Sequence, residues 1–247
     1  MVVYECEQGD EAWHSHRIGV ITGSEFVTAR GVYKTGKQAG EPNAAAKDYA
    51  FKKAIERIGG KLLDDGFENW GMRRGHELEP AARLEHEVQL GETVHRCGFV
   101  TTDCGTYGCS LDGMIGFKQG GSEYKCFASP EKLREILLGG DLSGVMDQCQ
   151  GGIWIAELEW LDFCLFCPEF APAGSSLWHR RIYRDDAYIK ALRADLANFN
   201  DLVCEYMHKL RAALGGAPAA PLAPASAPIA SAALAPTDLP ENLFANA

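Results

Sequence analysis

The chain has 247 residues, 46% hydrophobic and 23% charged, ordinary values for a globular protein with room for a sizeable core. Its net charge of −10 excludes a broad basic coat for nucleic acid, but not a local basic channel beside an acidic metal site. No apolar run reaches the roughly 18–20 residues of a membrane helix, and the acidic opening Met1 to Asp10 lacks the apolar centre of a signal peptide, so cytoplasm is the expected compartment.

In chain order, Asp10 to Arg17 reads as a helix. Thr22-Gly-Ser24-Glu25 has the spacing of a capping box, with Thr22 as N-cap and Glu25 three residues on, so a second helix is expected there. A loop from Val32 to Asn43 carries Lys34, Lys37, two glycines and Pro42. Ala44 to Ile58 is an amphipathic helix closed by Gly59-Gly60, and Glu68 to Val88 a longer one interrupted at Pro80. Three strand-like segments come next, Thr93 to Thr101, Tyr107 to Phe117 and Ser122 to Phe127. Ser129-Pro130-Glu131 opens a helix that ends at Gly139-Gly140, since proline suits the first helical position. Ser143 to Glu157 is a further helix, Trp160 to Cys167 and Leu177 to Arg184 are strands, and Asp186 to Leu214 is a final long helix. This order implies one α/β domain over residues 1–213, with a central mixed sheet flanked by helices. From residue 214 the chain turns to Ala, Pro, Gly, Ser and Leu, a composition that buries too little to order itself, so 214–247 is expected to be a flexible tail.

Nine cysteines form no compact framework. Cys164 and Cys167 have CxxC spacing, but within Trp160-Leu-Asp-Phe-Cys-Leu-Phe-Cys167 they read as small apolar residues of a buried strand.

Chemistry concentrates at Ser110-Leu-Asp112-Gly113 and Ser122-Glu123-Tyr-Lys125-Cys126. Residues two apart on a strand share a face, so Glu123 and Lys125 project together, and a hairpin can fold Asp112 alongside them. Two carboxylates make a hard oxygen site of the kind Mg²⁺ prefers, and an ammonium beside them can orient water or offset charge developing on a phosphate. Lys125 is the one lysine of the chain with an acid two residues before it. Taken alone, the triplet also fits an exposed strand edge with a surface ion pair.

The surroundings resemble the phage lambda exonuclease family, the YqaJ-like viral recombinase exonucleases of the PD-(D/E)XK nuclease superfamily. The resemblance rests on Glu7-Gln-Gly-Asp-Glu-Ala-Trp13-His, on Arg17-Ile-Gly-Val-Ile-Thr22-Gly-Ser24-Glu25, on the two segments around Asp112 and Glu123, and on Gln148-Cys-Gln150. It extends through Trp160 to Phe170 and covers about the first 213 residues. By that resemblance Asp112 and Glu123 bind metal and Lys125 assists the attacking water. Glu79, in Gly75-His-Glu-Leu-Glu79-Pro-Ala-Ala-Arg83, matches the family's helical acid better than Glu77 does, while also being placed to pair with Arg83 one turn on. Gln150 matches the glutamine that completes the site, with Gln148 beside it. Arg17, Ser24, Thr22 and Ser110 match a 5′-phosphate pocket, although Thr22 can equally be a cap and Arg17 a surface ion-pair partner. Lys34 and Lys37 match backbone-contacting positions of the family, and Arg73 and Arg74 could extend such a contact. Trp13, His14 and His16 are given no site role.

The sequence departs from the family at Leu111 and Phe127, where proline is usual, and at Val145, where tyrosine is usual. The implied fold is restriction-endonuclease-like. The implied activity is Mg²⁺-dependent (Mn²⁺ also admissible) 5′ to 3′ digestion of duplex DNA to mononucleotides, leaving 3′ overhangs. A ring-shaped homotrimer and a single-strand annealing protein are the implied partners. The rival readings are an endonuclease with the same metal site and a DNA-end-binding protein without catalysis.

Overall fold

The computed structural model describes residues 1–63, 70–116, 119–127 and 129–215. The tail expected from residue 214 therefore lies almost wholly outside the described residues, as do the first residues of the helix expected from Glu68.

Two four-stranded mixed sheets are present where one was expected. In the first, β1 (Val2–Tyr4) pairs antiparallel with β3 (Phe99–Thr101), β3 antiparallel with β4 (Tyr107–Cys109), and β4 parallel with β2 (Ile21–Thr22). In the second, β5 (Gly113–Ile115) and β6 (Gly120–Lys125) form an antiparallel hairpin, β6 runs parallel to β7 (Trp160–Phe166), and β7 antiparallel to β8 (Leu177–Tyr183). The segment read as one strand from Tyr107 to Phe117 is thus broken at Ser110–Asp112, where the chain passes from one sheet to the other. That read from Thr93 to Thr101 is a strand only at its end, with a single bridge from His95 to Met114 before it.

The helices keep the expected order. In α1 (Glu11–His16) the Asp10 carboxylate accepts from the Trp13 amide at 2.6 Å. The capping box does not form: Thr22 makes no side-chain cap bond, and the chain continues as a 3₁₀ turn, Gly23–Glu25, then a single turn, α2 (Phe26–Ala29). The Asn43 side chain caps α3 (Ala44–Gly59), and Gly60 ends it in the left-handed conformation at φ 63°. Helix α4 (Trp70–Leu90) continues through Pro80. Pro130–Leu137 (α5) and Ser143–Ile155 (α6) form the crossover between parallel β6 and β7, as such a connection requires. Helix α6 stops two residues short of the expected Glu157, which itself turns left-handed at φ 57°. The last helix, α7 (Asp186–Ala213), packs along α3.

The main core lies between β7 and the helices α3, α6 and α7, around Phe26, Phe163, Leu161, Ile153 and Leu192. Each such side chain contributes about 1.5–3 kcal/mol by burial. Helix α4 covers the opposite face of the second sheet, with Ala82 against Tyr124, Cys164, Phe166 and Leu177. Cys164 and Cys167 are buried here, as a small apolar pair would be. One glycine is dictated by packing: a Cβ on Gly113 would stand 2.1 Å from Val94 Cγ1 and 2.5 Å from Ser122 Oγ, so only glycine lets the hairpin close directly after Asp112.

A buried ion pair ties α3 to the loop before β2. Lys53 Nζ donates to Glu56 Oε2 at 2.7 Å, and the same oxygen accepts from the Gly19 amide at 3.0 Å. Glu56→Ala would strand the Lys53 ammonium in the interior and is expected to cost about 3–5 kcal/mol in urea denaturation, as breaking a buried pair does. A loss below about 1 kcal/mol would show that water reaches Lys53.

Candidate active site

The β5–β6 hairpin brings the acids together. The Asp112 amide donates to Ser122 O at 3.2 Å, and its carboxylate Oδ2 accepts from the Tyr124 amide at 2.6 Å. On β6, Glu123 and Lys125 share a face as their two-residue spacing requires, and Lys125 Nζ lies 2.7 Å from Glu123 Oε1. Gln148 of α6 donates its amide to that same oxygen at 2.5 Å. From α4, Glu79 pairs with Arg83 one turn on and also acts on Asp112.

The electrostatics are those of crowded acids. Burial first, then the negative charges of Glu123 and Glu79, push the Asp112 carboxyl well above its usual range, with Lys125 opposing them. Burial works against the Lys125 ammonium, but Glu123 and Asp112 outweigh it and hold its pKa above the ordinary lysine value. Lys125 thus stays charged, while the carboxylates carry a repulsion that a single lysine does not cancel. A donor set of hard oxygens with surplus negative charge, Asp112 and Glu123 among them, is of the kind that suits a divalent cation of the Mg²⁺ type.

Asp112, Glu79 and Arg83 line a cleft of about 1780 Å³, shared with Trp13, Arg17, Thr22 and Ser24. This exceeds the roughly 300–1,000 Å³ of a small-molecule pocket, which favours a polymer end over a metabolite. Glu123, only 4% exposed, does not line the cleft. Trp13 joins the elements of this pocket: the Arg17 guanidinium stacks 4.0 Å from its ring centre, and its indole N–H donates to Ser110 Oγ at 2.7 Å. With only one acceptor position of Ser110 used, its hydroxyl proton remains available to a ligand. Thr22, expected to present its hydroxyl as a cap, is 3% exposed, and its amide donates to Tyr49 O–H at 3.1 Å.

Gln150 does not reach the acids. Its amide donates to Tyr183 O at 2.9 Å and accepts from the Asp185 amide at 3.1 Å, stapling the end of β8 to the start of α7. Residues two apart on a helix lie roughly 200° around the axis, so only one of Gln148 and Gln150 can face the site. The one that does is Gln148. Lys34 and Lys37 stand exposed on the loop before α3 and do not line the cleft. Arg74 is held by Glu169 at 3.0 Å. The sequence missed Trp13 because an isolated tryptophan reads as core; its position four residues before Arg17 on a helix was the available signal.

A family model described as the YqaJ-like viral recombinase domain matches residues 12–159, more than half of the chain. Among solved structures, the alkaline exonuclease LHK-Exo from Laribacter hongkongensis is 26% identical, with a TM-score of 0.69 over 83% of this chain and 99% of that one. LHK-Exo in complex with dAMP is 24% identical over 83% and 98%, with a TM-score of 0.71. A phage-related exonuclease from Haemophilus somnus 129PT shares the fold at 18% identity, with a TM-score of 0.58 over 79% and 96%. A search of curated proteins finds no match. Family and neighbours together support a nuclease function, and the mixed α/β architecture is that of the alkaline exonuclease. With residues 12–159 carrying the match and the acid hairpin inside it, the chain belongs to the YqaJ-like viral recombinase domain family.

Proposed function

We propose that this nuclease is a Mg²⁺-dependent exonuclease that digests double-stranded DNA 5′ to 3′ from 5′-phosphorylated ends, releasing mononucleotides and leaving 3′ overhangs for recombination by strand annealing. The observation that carries the reading is one cleft holding Asp112 and Glu79, backed by Glu123 and Lys125, together with Arg17 and Ser24. A metal-ligating acid set beside a guanidinium and two hydroxyls is what cleavage next to a terminal phosphate needs. The neighbour holding dAMP, a mononucleotide, agrees with stepwise release.

Asp112 and Glu123 are the proposed metal ligands, with Mn²⁺ an admissible substitute. A cation held there would supply charge neutralisation at the scissile phosphate and a more acidic water. Lys125, fixed by Glu123, would orient the attacking water or donate to the phosphate oxygen as charge builds there. Gln148 holds Glu123 in place, and Arg83 does the same for Glu79. Arg17, braced by Trp13, receives the terminal phosphate with Ser24 and Ser110. Lys34 and Lys37 are proposed to meet the DNA backbone outside the cleft. A homotrimer encircling the duplex and a partner that coats the exposed strand complete the proposal.

The direct test is linear duplex DNA with Mg²⁺, comparing 5′-phosphorylated with 5′-hydroxyl ends. Phosphorylated ends should be lost far faster, and Lys125→Ala should slow that loss roughly a hundred- to ten-thousandfold. Equal loss from both ends would remove the Arg17 pocket, and cutting of closed circles would replace the exonuclease with an endonuclease. Arg17→Ala should abolish the preference for phosphate while leaving residual digestion.

The raised Asp112 carboxyl also has a signature in stability. A carboxyl raised on folding favours the folded state fully below its unfolded value of about 3.9, and that contribution is lost as pH rises through the raised value. In chelator near neutral pH, Asp112→Asn should therefore melt higher than the wild type, with the gap closing as pH falls towards 4. Adding Mg²⁺ should narrow the gap from the other side, by stabilising only the wild type. A mutant that melts lower at neutral pH would mean the acids are not repelling one another.

A further inference from the structure

Behind the acid hairpin lies a second cluster that the nuclease reading does not use. Asp162 of β7 sits in register with Ser122 of β6, so it faces away from Glu123 and Lys125. There it meets His86 of α4 and His179 of β8, and one ligand atom from each of the three lies within 4.8 Å of the others. His86 and Asp162 are both 0% exposed, and His179 is intermediate, which leaves an approach from solvent.

The hydrogen bonding leaves nitrogen lone pairs for this centre. Gln89 donates its amide N–H to Leu177 O at 3.2 Å, which fixes its carbonyl towards His179 Nδ1 at 3.1 Å. A carbonyl only accepts, so His179 Nδ1 carries the proton and Nε2 the lone pair. His86 Nδ1 is shared with Tyr124 O–H at 3.1 Å, while buried Nε2 has no hydrogen-bond partner among the described residues. That nitrogen stands 3.5 Å from Asp162 Oδ2, too long for a useful hydrogen bond between buried groups. It is instead the spacing of two donors on one tetrahedral zinc, about 3.4 Å for bonds of about 2.0–2.1 Å.

We propose that His86, Asp162 and His179 form a second metal site, for one zinc-class divalent transition ion, on the far side of the sheet from Asp112. Two imidazoles and one carboxylate suit such an ion better than Mg²⁺, which prefers oxygen alone. The outer partners that orient metal-bound histidines are also present, as Gln89 and Tyr124. Arg181 shares the carboxylate at 2.9 and 2.8 Å, so metal and guanidinium bind it together through different lone pairs. His86 and Glu79 are seven residues apart on one face of α4, and the ion would pin that helix to the sheet at the end away from the nuclease acids.

The test uses the full chain carrying Asp112→Asn and Glu123→Gln, which removes the proposed nuclease ligands and makes the two readings fail separately. After chelator and dialysis, Co²⁺ is titrated as a visible stand-in for Zn²⁺. One Co²⁺ per chain, with the absorption of a low-coordinate nitrogen–oxygen site and displacement by Zn²⁺, is expected. His179→Ala should weaken binding by more than the roughly ten- to hundredfold typical of losing an outer partner, which Gln89→Ala should show. No Co²⁺ bound, or binding unchanged in a folded His179→Ala, overturns the site. The stoichiometry arm needs no change at the cluster itself, so it stands even if a histidine variant does not fold.

Discussion

The burial of Asp112 beside the negative charges of Glu123 and Glu79 is the constraint around which this fold is arranged. Carboxylates do not gather in a protein interior unless the backbone forces them to, and here the β5–β6 hairpin does so. The Tyr124 amide donates into Asp112, Gly113 lets the strands meet without a side chain between them, and α4 lays Glu79 across the end. Each of these devices is local and rigid. The strain they impose is electrostatic, of the kind a bound cation relieves, and in a chain of net charge −10 it is gathered at one point.

The second sheet separates two side-chain clusters by the alternation of its strands. One face of β6 presents Glu123 and Lys125, and the other presents Ser122 and Tyr124 towards His86 and Asp162. Helix α4 reaches both, with Glu79 near its middle and His86 two turns on. Tyr124 lies between them, its amide on Asp112 and its hydroxyl on His86, so the two clusters are joined through one residue of β6.

Distance along the chain governed how much of this was legible in the sequence. Asp112, Glu123 and Lys125 were legible because a two-residue period and a short hairpin are local rules. The long helices were legible through their caps and glycines. Strands β1 and β2 were not, because two or three residues carry no periodicity and their pairing is decided by partners as far away as Thr101 and Gly108. The change of sheet at Ser110–Asp112 was hidden for a related reason, since alternation says which face a residue takes but not which sheet it joins. Gln150 was placed by resemblance alone, and helical geometry assigned its amide to Tyr183 and Asp185 instead. His86, Asp162 and His179 are scattered over three elements, and nothing in their spacing connects them.

Trp13 has a consequence for how this family varies. Its ring supports Arg17 and its indole proton is taken by Ser110, so the three side chains form one unit and not three independent contributors. Removing Trp13 releases both neighbours, and once either is gone the other has less left to lose. Substitutions among these positions are therefore non-additive, with interaction energies on the order of 0.5–3 kcal/mol. Such coupling makes single replacements costly and joint ones tolerable. Across relatives, the tryptophan, the arginine and the serine are expected to be inherited as a set or exchanged as a set.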